Sequence, residues 1–223
     1  MSFAKMIIED QRVKKYYEDY MKHPFIKGLG DGSLEKEKFK KYLIQDTLYL
    51  KDYGKVYAHA FLLSDRIEDL QFLHTCIGVV IAEETNMHIR YLKDFNLDVF
   101  MIDNMKIEPA NRAYLDYMLS FKEGGDIKEI FMSALPCTLT YEYIGKTLKE
   151  QCIKNGNNNA KDNYYYPWIE DYAGEGFEDF SIKSCELVDR ICKDIDEEEK
   201  EKLMTIFLEA CRYEMGFWDM SFE

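Results

Sequence analysis

Residues 127–153 read IKEIFMSALPCTLTYEYIGKTLKEQCI. Ile130, Ala134, Cys137, Tyr141 and Ile144 recur at spacings of three and four, so they line one face of a long helix. Pro136 lies inside that helix. Proline lacks the amide hydrogen and crowds the carbonyl four residues back, here that of Met132. The reading is a kink just before Cys137 that opens space over its thiol. A lone cysteine on an apolar stripe is ordinarily inert core. With Pro136 before it and Tyr141 one turn on, Cys137 also fits a nucleophile beside a pocket.

The same period runs outward in both directions. Residues 3–22 form a first helix closed by His23-Pro24, and the turn GLGDGS follows. Ser33 is read as the N-cap of a helix from 34 to about 64, with Glu35 and Glu37 behind it. Residues 66–94 form another helix, broken from the last at Ser64-Asp65. Asn96 to Asn104 is a connection. A helix over 108–123 enters through Pro109 and ends at Gly124-Gly125-Asp126. Beyond the central helix, 154–163 (KNGNNNAKDN) is a polar loop, and 164–172, 177–194 and 196–220 are helical again. No strand pattern and no internal repeat appears. The expectation is one all-α domain over residues 1–223, a bundle of about seven or eight helices.

Composition agrees. The chain has 223 residues, 47% apolar and 32% charged, with only 4 Pro and 12 Gly, which suits long uninterrupted elements. Its net charge of −13 repels phosphate backbones, so nucleic acid is not an expected partner. No run of 18 apolar residues suggests a membrane span, and charges come too early for a signal peptide. Six cysteines without a CxxC pair read as reduced thiols in a cytoplasmic protein.

Three further stripes carry polar residues where apolar ones belong. Asp46 stands among Phe39, Tyr42, Tyr49 and Tyr53. It is either a carboxylate tied to tyrosine hydroxyls or one wall of a cavity with a polar ligand, because a buried carboxylate is costly unless bonded. Glu84 and His88 follow Leu70, Leu73, Ile77 and Ile81, with Tyr91 beyond. They read as an internal hydrogen-bonded pair. A di-iron site is the other possibility, though its usual spacing is Glu-x-x-His, an offset of three, and here the offset is four. Glu214 stands in line with Leu203, Phe207, Ala210 and Phe217, beside Trp218. Cys137, Glu214 and Asp46 on three helices, all flanked by aromatics, suggest a nucleophile with acid and base partners.

These motifs, in order, resemble the TenA, or thiaminase II, family. They are His23-Pro24-Phe25, the run Phe39 to Leu50 with Gln45-Asp46, Glu83-Glu84 before His88, and Pro109-x-Asn111-x-x-Tyr114. Pro136-Cys137-x-x-x-Tyr141-x-x-x-Gly145, Tyr165-x-x-Trp168-Ile169-x-x-Tyr172 and Tyr213-Glu214-x-x-Phe217-Trp218 complete the set. The resemblance covers the whole chain. It implies a heme-oxygenase-like helical fold and, given Cys137, the cysteine-containing branch. Such enzymes convert 4-amino-5-aminomethyl-2-methylpyrimidine to the hydroxymethyl form and ammonia, and they cleave thiamine. By resemblance Cys137 is the nucleophile, Asp46 and Glu214 bond the pyrimidine nitrogens and handle protons, and Tyr49, Tyr114, Tyr141, Tyr165 and Phe217 line the pocket. Among the consecutive Tyr164, Tyr165 and Tyr166, spacing to Trp168 picks Tyr165. The resemblance implies no metal or organic cofactor, and a homotetramer. Two rival readings remain: a di-iron oxidase on the same fold using Glu84 and His88, and a protein that holds pyrimidines or thiamine without turnover.

Overall fold

The structure is a computed structural model. It describes residues 2–223, the side chains of residues 83–86 excepted. Among the described residues every regular element is helical. In chain order these are α1 (Phe3–Glu9), α2 (Gln11–Lys22), α3 (Pro24–Asp31), α4 (Lys36–Leu62), α5 (Ile67–Gly78), α6 (Glu84–Leu92), α7 (Val99–Ile102), α8 (Pro109–Ser120), α9 (Ile127–Asn155), α10 (Tyr166–Tyr172), α11 (Glu175–Ile191) and α12 (Glu197–Phe222). A five-residue π-turn, Val79–Glu83, joins α5 to α6, and a 3₁₀ turn, Lys93–Phe95, follows α6. No helix among the described residues is long and apolar enough to cross a membrane.

The central helix of the sequence reading is α9, which packs against α3, α4, α8, α10, α11 and α12. Asp126 starts it with a capping box. Its side chain accepts from the Lys128 and Glu129 amides while Glu129 reaches back to the Asp126 amide. Gly156, at φ 73°, ends it in the left-handed conformation that suits glycine. The helix continues through Pro136 without interruption.

Several boundaries differ from the sequence reading, each for a local reason. The first helix breaks at Asp10, whose carboxylate caps α2 through the Arg12 amide. His23-Pro24 does close that helix, but it also opens α3. The His23 ring accepts from the Phe25 amide, Pro24 takes the first helical position, and Phe25, Ile26 and Leu29 are buried. Ser33 is not an N-cap. Gly32 ends α3 at φ 80°, and the Leu34 amide then donates back to the Gly28 carbonyl. That residue is used to close α3, so α4 starts later, behind Glu35. The single helix expected over 66–94 contains the π-turn. Ile81, expected on the buried stripe, is half exposed, and Val80 is buried in its place.

Buried apolar side chains form one contiguous core that is unusually aromatic. Tyr42 stacks on Trp218 with centroids 5.7 Å apart, and Trp218 also meets Phe25 and Tyr141. Gly145 lets α10 approach α9. A Cβ at this position would lie 2.8 Å from the Tyr172 backbone carbon and 2.9 Å from the Ala173 nitrogen. Backbone cannot move aside as a flexible side chain does, so Gly145→Ala is expected to cost about 1–3 kcal/mol by overpacking. Urea unfolding checks this, and a variant as stable as wild type would show that α10 is free to shift.

Candidate active site

Asp46, Tyr49, Tyr114, Cys137, Tyr141, Glu214 and Phe217 line one narrow slot in the core. The slot continues past Cys137, where Tyr53, Val80, Thr138, Tyr172, Phe177 and Phe180 join Asp46 and Tyr141 as its walls. Outside lies a surface groove of about 650 Å³ that shares Tyr172, Phe177 and Phe180 with it. Cys137 is partly exposed, while its neighbours on either side in α9 are buried.

Helix packing explains why these side chains meet. On α4, the Gln45 carboxamide donates to the Lys106 carbonyl and accepts from the Glu108 amide at 2.9 Å. Asn111 donates to the Gln45 carbonyl at 2.7 Å. These bonds fix the start of α8 beside Asp46. One turn after Asn111, the Tyr114 hydroxyl donates to Glu214 Oε1 at 2.9 Å. Tyr49 lies against Tyr114, with centroids 5.5 Å apart, and edge-on to Phe217 at 5.8 Å.

Glu214 is 2% exposed, and among the described residues no cation stands beside it. Burial pushes its pKa up to about 8, although the Tyr114 hydroxyl and the Cys137 thiol both donate to it; the charge of Asp46 pushes in the same direction as burial. Asp46 has different company. His88 Nε2 lies 3.0 Å from its Oδ2, and the Tyr42 hydroxyl is bonded to it. The slot therefore holds a thiol, a carboxyl that keeps its proton at neutral pH, and a second carboxylate with its own partners. Aromatic faces on both sides suit a flat ring.

Of the residues singled out by sequence, Cys137, Glu214, Asp46, Tyr49, Tyr114, Tyr141 and Phe217 come together. Tyr165 does not line the slot. It is buried, its ring packs on Phe39 with centroids 4.8 Å apart, and its hydroxyl donates to the Leu34 carbonyl. It sits just ahead of α10, and the residue of that segment that reaches the slot is Tyr172, one helix length further on. Tyr172 closes the Trp168 motif and Tyr53 ends the Asp46 stripe, so both carried a sequence signal. Val80, Phe177 and Phe180 carried none. The expected Glu84–His88 pair falls on a side chain outside the described residues. His88 contacts Asp46 and Thr47. Among the described residues no group of three or more His, Cys, Asp or Glu is placed to hold a metal ion.

Fold and site together define an all-helical protein with a cysteine and two carboxylates around an aromatic slot. Residues 10–223 match the sequence model of the TENA/THI-4/PQQC family. The chain is 32% identical to the aminopyrimidine aminohydrolase of Halalkalibacterium halodurans, covering all of this chain and 96% of that protein. It is 30% identical to the aminopyrimidine aminohydrolase of Helicobacter pylori over 96% of each chain. In structure it is similar to a TenA family transcription regulator from Silicibacter sp. TM1040, with a TM-score of 0.86, 24% identity, and coverage of 100% of this chain and 96% of that one. A Shewanella denitrificans domain with a heme oxygenase-like fold matches at TM-score 0.71, 14% identity and coverage of 95% and 89%. The chain belongs to the TENA/THI-4/PQQC family and has the heme-oxygenase-like fold.

The raised Glu214 value has a measurable consequence for stability. In the folded protein this carboxyl keeps a proton that the unfolded chain releases above its ordinary value of 4.5, and it does so up to about 8. Stability is therefore lost as pH rises through that window. Glu214→Gln cannot ionise. Its thermal midpoint is expected to fall less than that of wild type between about pH 5 and pH 8. Parallel curves for the two proteins would show that Glu214 is charged in the fold.

Proposed function

We propose that this protein is an aminopyrimidine aminohydrolase. It replaces the exocyclic amine of 4-amino-5-aminomethyl-2-methylpyrimidine by hydroxyl and releases ammonia, in salvage of the thiamine pyrimidine, and it cleaves thiamine at the same carbon. The observation that carries the proposal is a thiol bonded to a buried protonated carboxyl in an aromatic slot, in a chain that spans nearly the full length of two aminopyrimidine aminohydrolases.

The chemistry needs these groups. An amine on the CH2 of an aromatic pyrimidine is a poor leaving group for direct displacement. Cys137 adds through sulfur to a ring carbon, and a proton goes to a ring nitrogen. Glu214 suits that transfer, since it accepts the thiol proton on one oxygen and gives up its own from the other, with no change in its charge. The ring is then an electron-rich enamine. Its electrons expel the protonated amine as ammonia and leave an exocyclic methylene. Water adds to that carbon and its proton goes to the released ammonia; sulfur then departs with its bonding pair, and the ring-nitrogen proton returns to it through Glu214 as aromaticity is restored. Asp46 bonds the nitrogens at the polar edge of the pyrimidine. Tyr49, Tyr114, Tyr141 and Phe217 hold its faces, and Tyr165 supports Phe39 behind that wall. These steps use only side chains of this protein.

Cys137→Ala is expected to abolish ammonia release while pyrimidine binding persists. Glu214→Gln is expected to lower kcat by about 10²–10⁴. Wild-type activity should decline above about pH 8, where Glu214 gives up its proton. Full turnover by Cys137→Ala would remove the covalent mechanism. We also propose a cytoplasmic location, in keeping with six cysteines in thiol form, and a homotetramer. Exposed Leu62, Leu63, Ile67, Phe100 and Met101 give subunits apolar surface to bury. Sedimentation at micromolar concentration should give four times the chain mass; a stable monomer would remove the tetramer.

A further inference from the structure

His88 has no part in the steps above, yet it is completely buried and stands against Asp46. Its Nδ1 lies 3.3 Å from Thr47 Oγ1. The Thr47 hydroxyl donates its one hydrogen to the Leu43 carbonyl at 2.7 Å, so towards His88 it can only accept. The ring proton is thereby assigned to Nδ1. On the other side, Nε2 lies 3.0 Å from Asp46 Oδ2 in an oblique approach without an aligned hydrogen bond. At that distance in a packed interior the ring stands against the carboxylate and limits where it can turn.

Asp46 is held from a second direction. The Tyr42 hydroxyl accepts from the Trp168 indole at 3.2 Å and from Tyr141, which leaves its own hydrogen for Asp46. Tyr42 is itself clamped, stacked on Trp218 at 5.7 Å and on Phe39 at 5.8 Å. Neither His88 nor Tyr42 is a wall of the slot, whereas Asp46 is. Both act through the carboxylate.

We propose that His88 and Tyr42 are positioning residues that fix the direction of the Asp46 carboxylate, and so set the affinity of the slot for the polar edge of an aminopyrimidine. This rests on the reading of Asp46 as a pyrimidine ligand. It assigns a use to the His88 motif other than metal binding.

The test measures the Kd of 4-amino-5-hydroxymethyl-2-methylpyrimidine, with kcat and KM for the aminomethyl form and a thermal midpoint for each variant. His88→Leu is expected to raise Kd and KM at least tenfold and to change kcat much less. His88→Gln, whose amide nitrogen can reach the same oxygen, should recover most of the affinity. In an Asp46→Ala background, His88→Leu should change Kd less than twofold, because its effect passes through Asp46. Tyr42→Phe keeps the packed ring and should reproduce the loss of affinity if His88→Leu does not fold. Unchanged Kd in a folded His88→Leu or Tyr42→Phe, or an effect of full size without Asp46, overturns the proposal. Wild type that binds the pyrimidine without turnover removes the hydrolase reading alone, and the Kd series still decides this one. Wild type that does not bind it removes both.

Discussion

Burying the Glu214 carboxyl among aromatic rings is the constraint to which the other side chains of the slot answer. An ionised carboxylate in these surroundings costs several kcal/mol unless a cation or several donors meet it. Among the described residues no cation does. The surroundings supply the Tyr114 hydroxyl and the Cys137 thiol, and Glu214 keeps its proton instead. Tyr114 can meet it only because Gln45 and Asn111 pin α8 to α4. Cys137 can meet it only because α9 runs at the centre of the bundle beside α12.

The second carboxylate makes the contrast useful. Asp46 shares the slot with Glu214, and its charge raises the proton affinity of Glu214. Each has a tyrosine hydroxyl, Tyr42 for Asp46 and Tyr114 for Glu214, but Asp46 also has the His88 imidazole beside it. Two groups of the same chemical type are thus separated by their neighbours, one suited to hold a ligand and the other to move a proton.

Much of this was legible in the sequence because helices repeat. The stripes through Asp46, Cys137 and Glu214 were visible as polar residues interrupting apolar spacing, and the structure buries Asp46 and Glu214 and leaves Cys137 partly exposed at the slot. Tyr114 became a candidate only through the family motif, since nothing in the spacing of α8 marks it as a partner of Glu214. Among the three consecutive tyrosines, the spacing to Trp168 picked Tyr165, which is buried against Phe39, while Tyr172, which passes over Gly145, reaches the slot. The role of Ser33 was hidden because Leu34 bonds back to Gly28, a contact outside the helix that Ser33 would have capped. Phe177 and Phe180 reach the slot from α11, and no local pattern indicates which wall a distant helix supplies.

The π-turn at Val79–Glu83 sets which way α6 faces. An α-helix advances about 100° per residue. A wide turn holds one residue more than regular winding would, so everything after it is rotated by about that angle. Ile81, inside the turn, is half exposed and reaches Gly54 of α4, and His88 meets Asp46 on the far side of it. Deleting one codon from this turn would restore smooth winding, leave the composition of the helix almost intact, and swing the imidazole about a quarter of a circle from the carboxylate. The pairing of these two side chains is thus inherited through the length of a segment as much as through the identity of either residue.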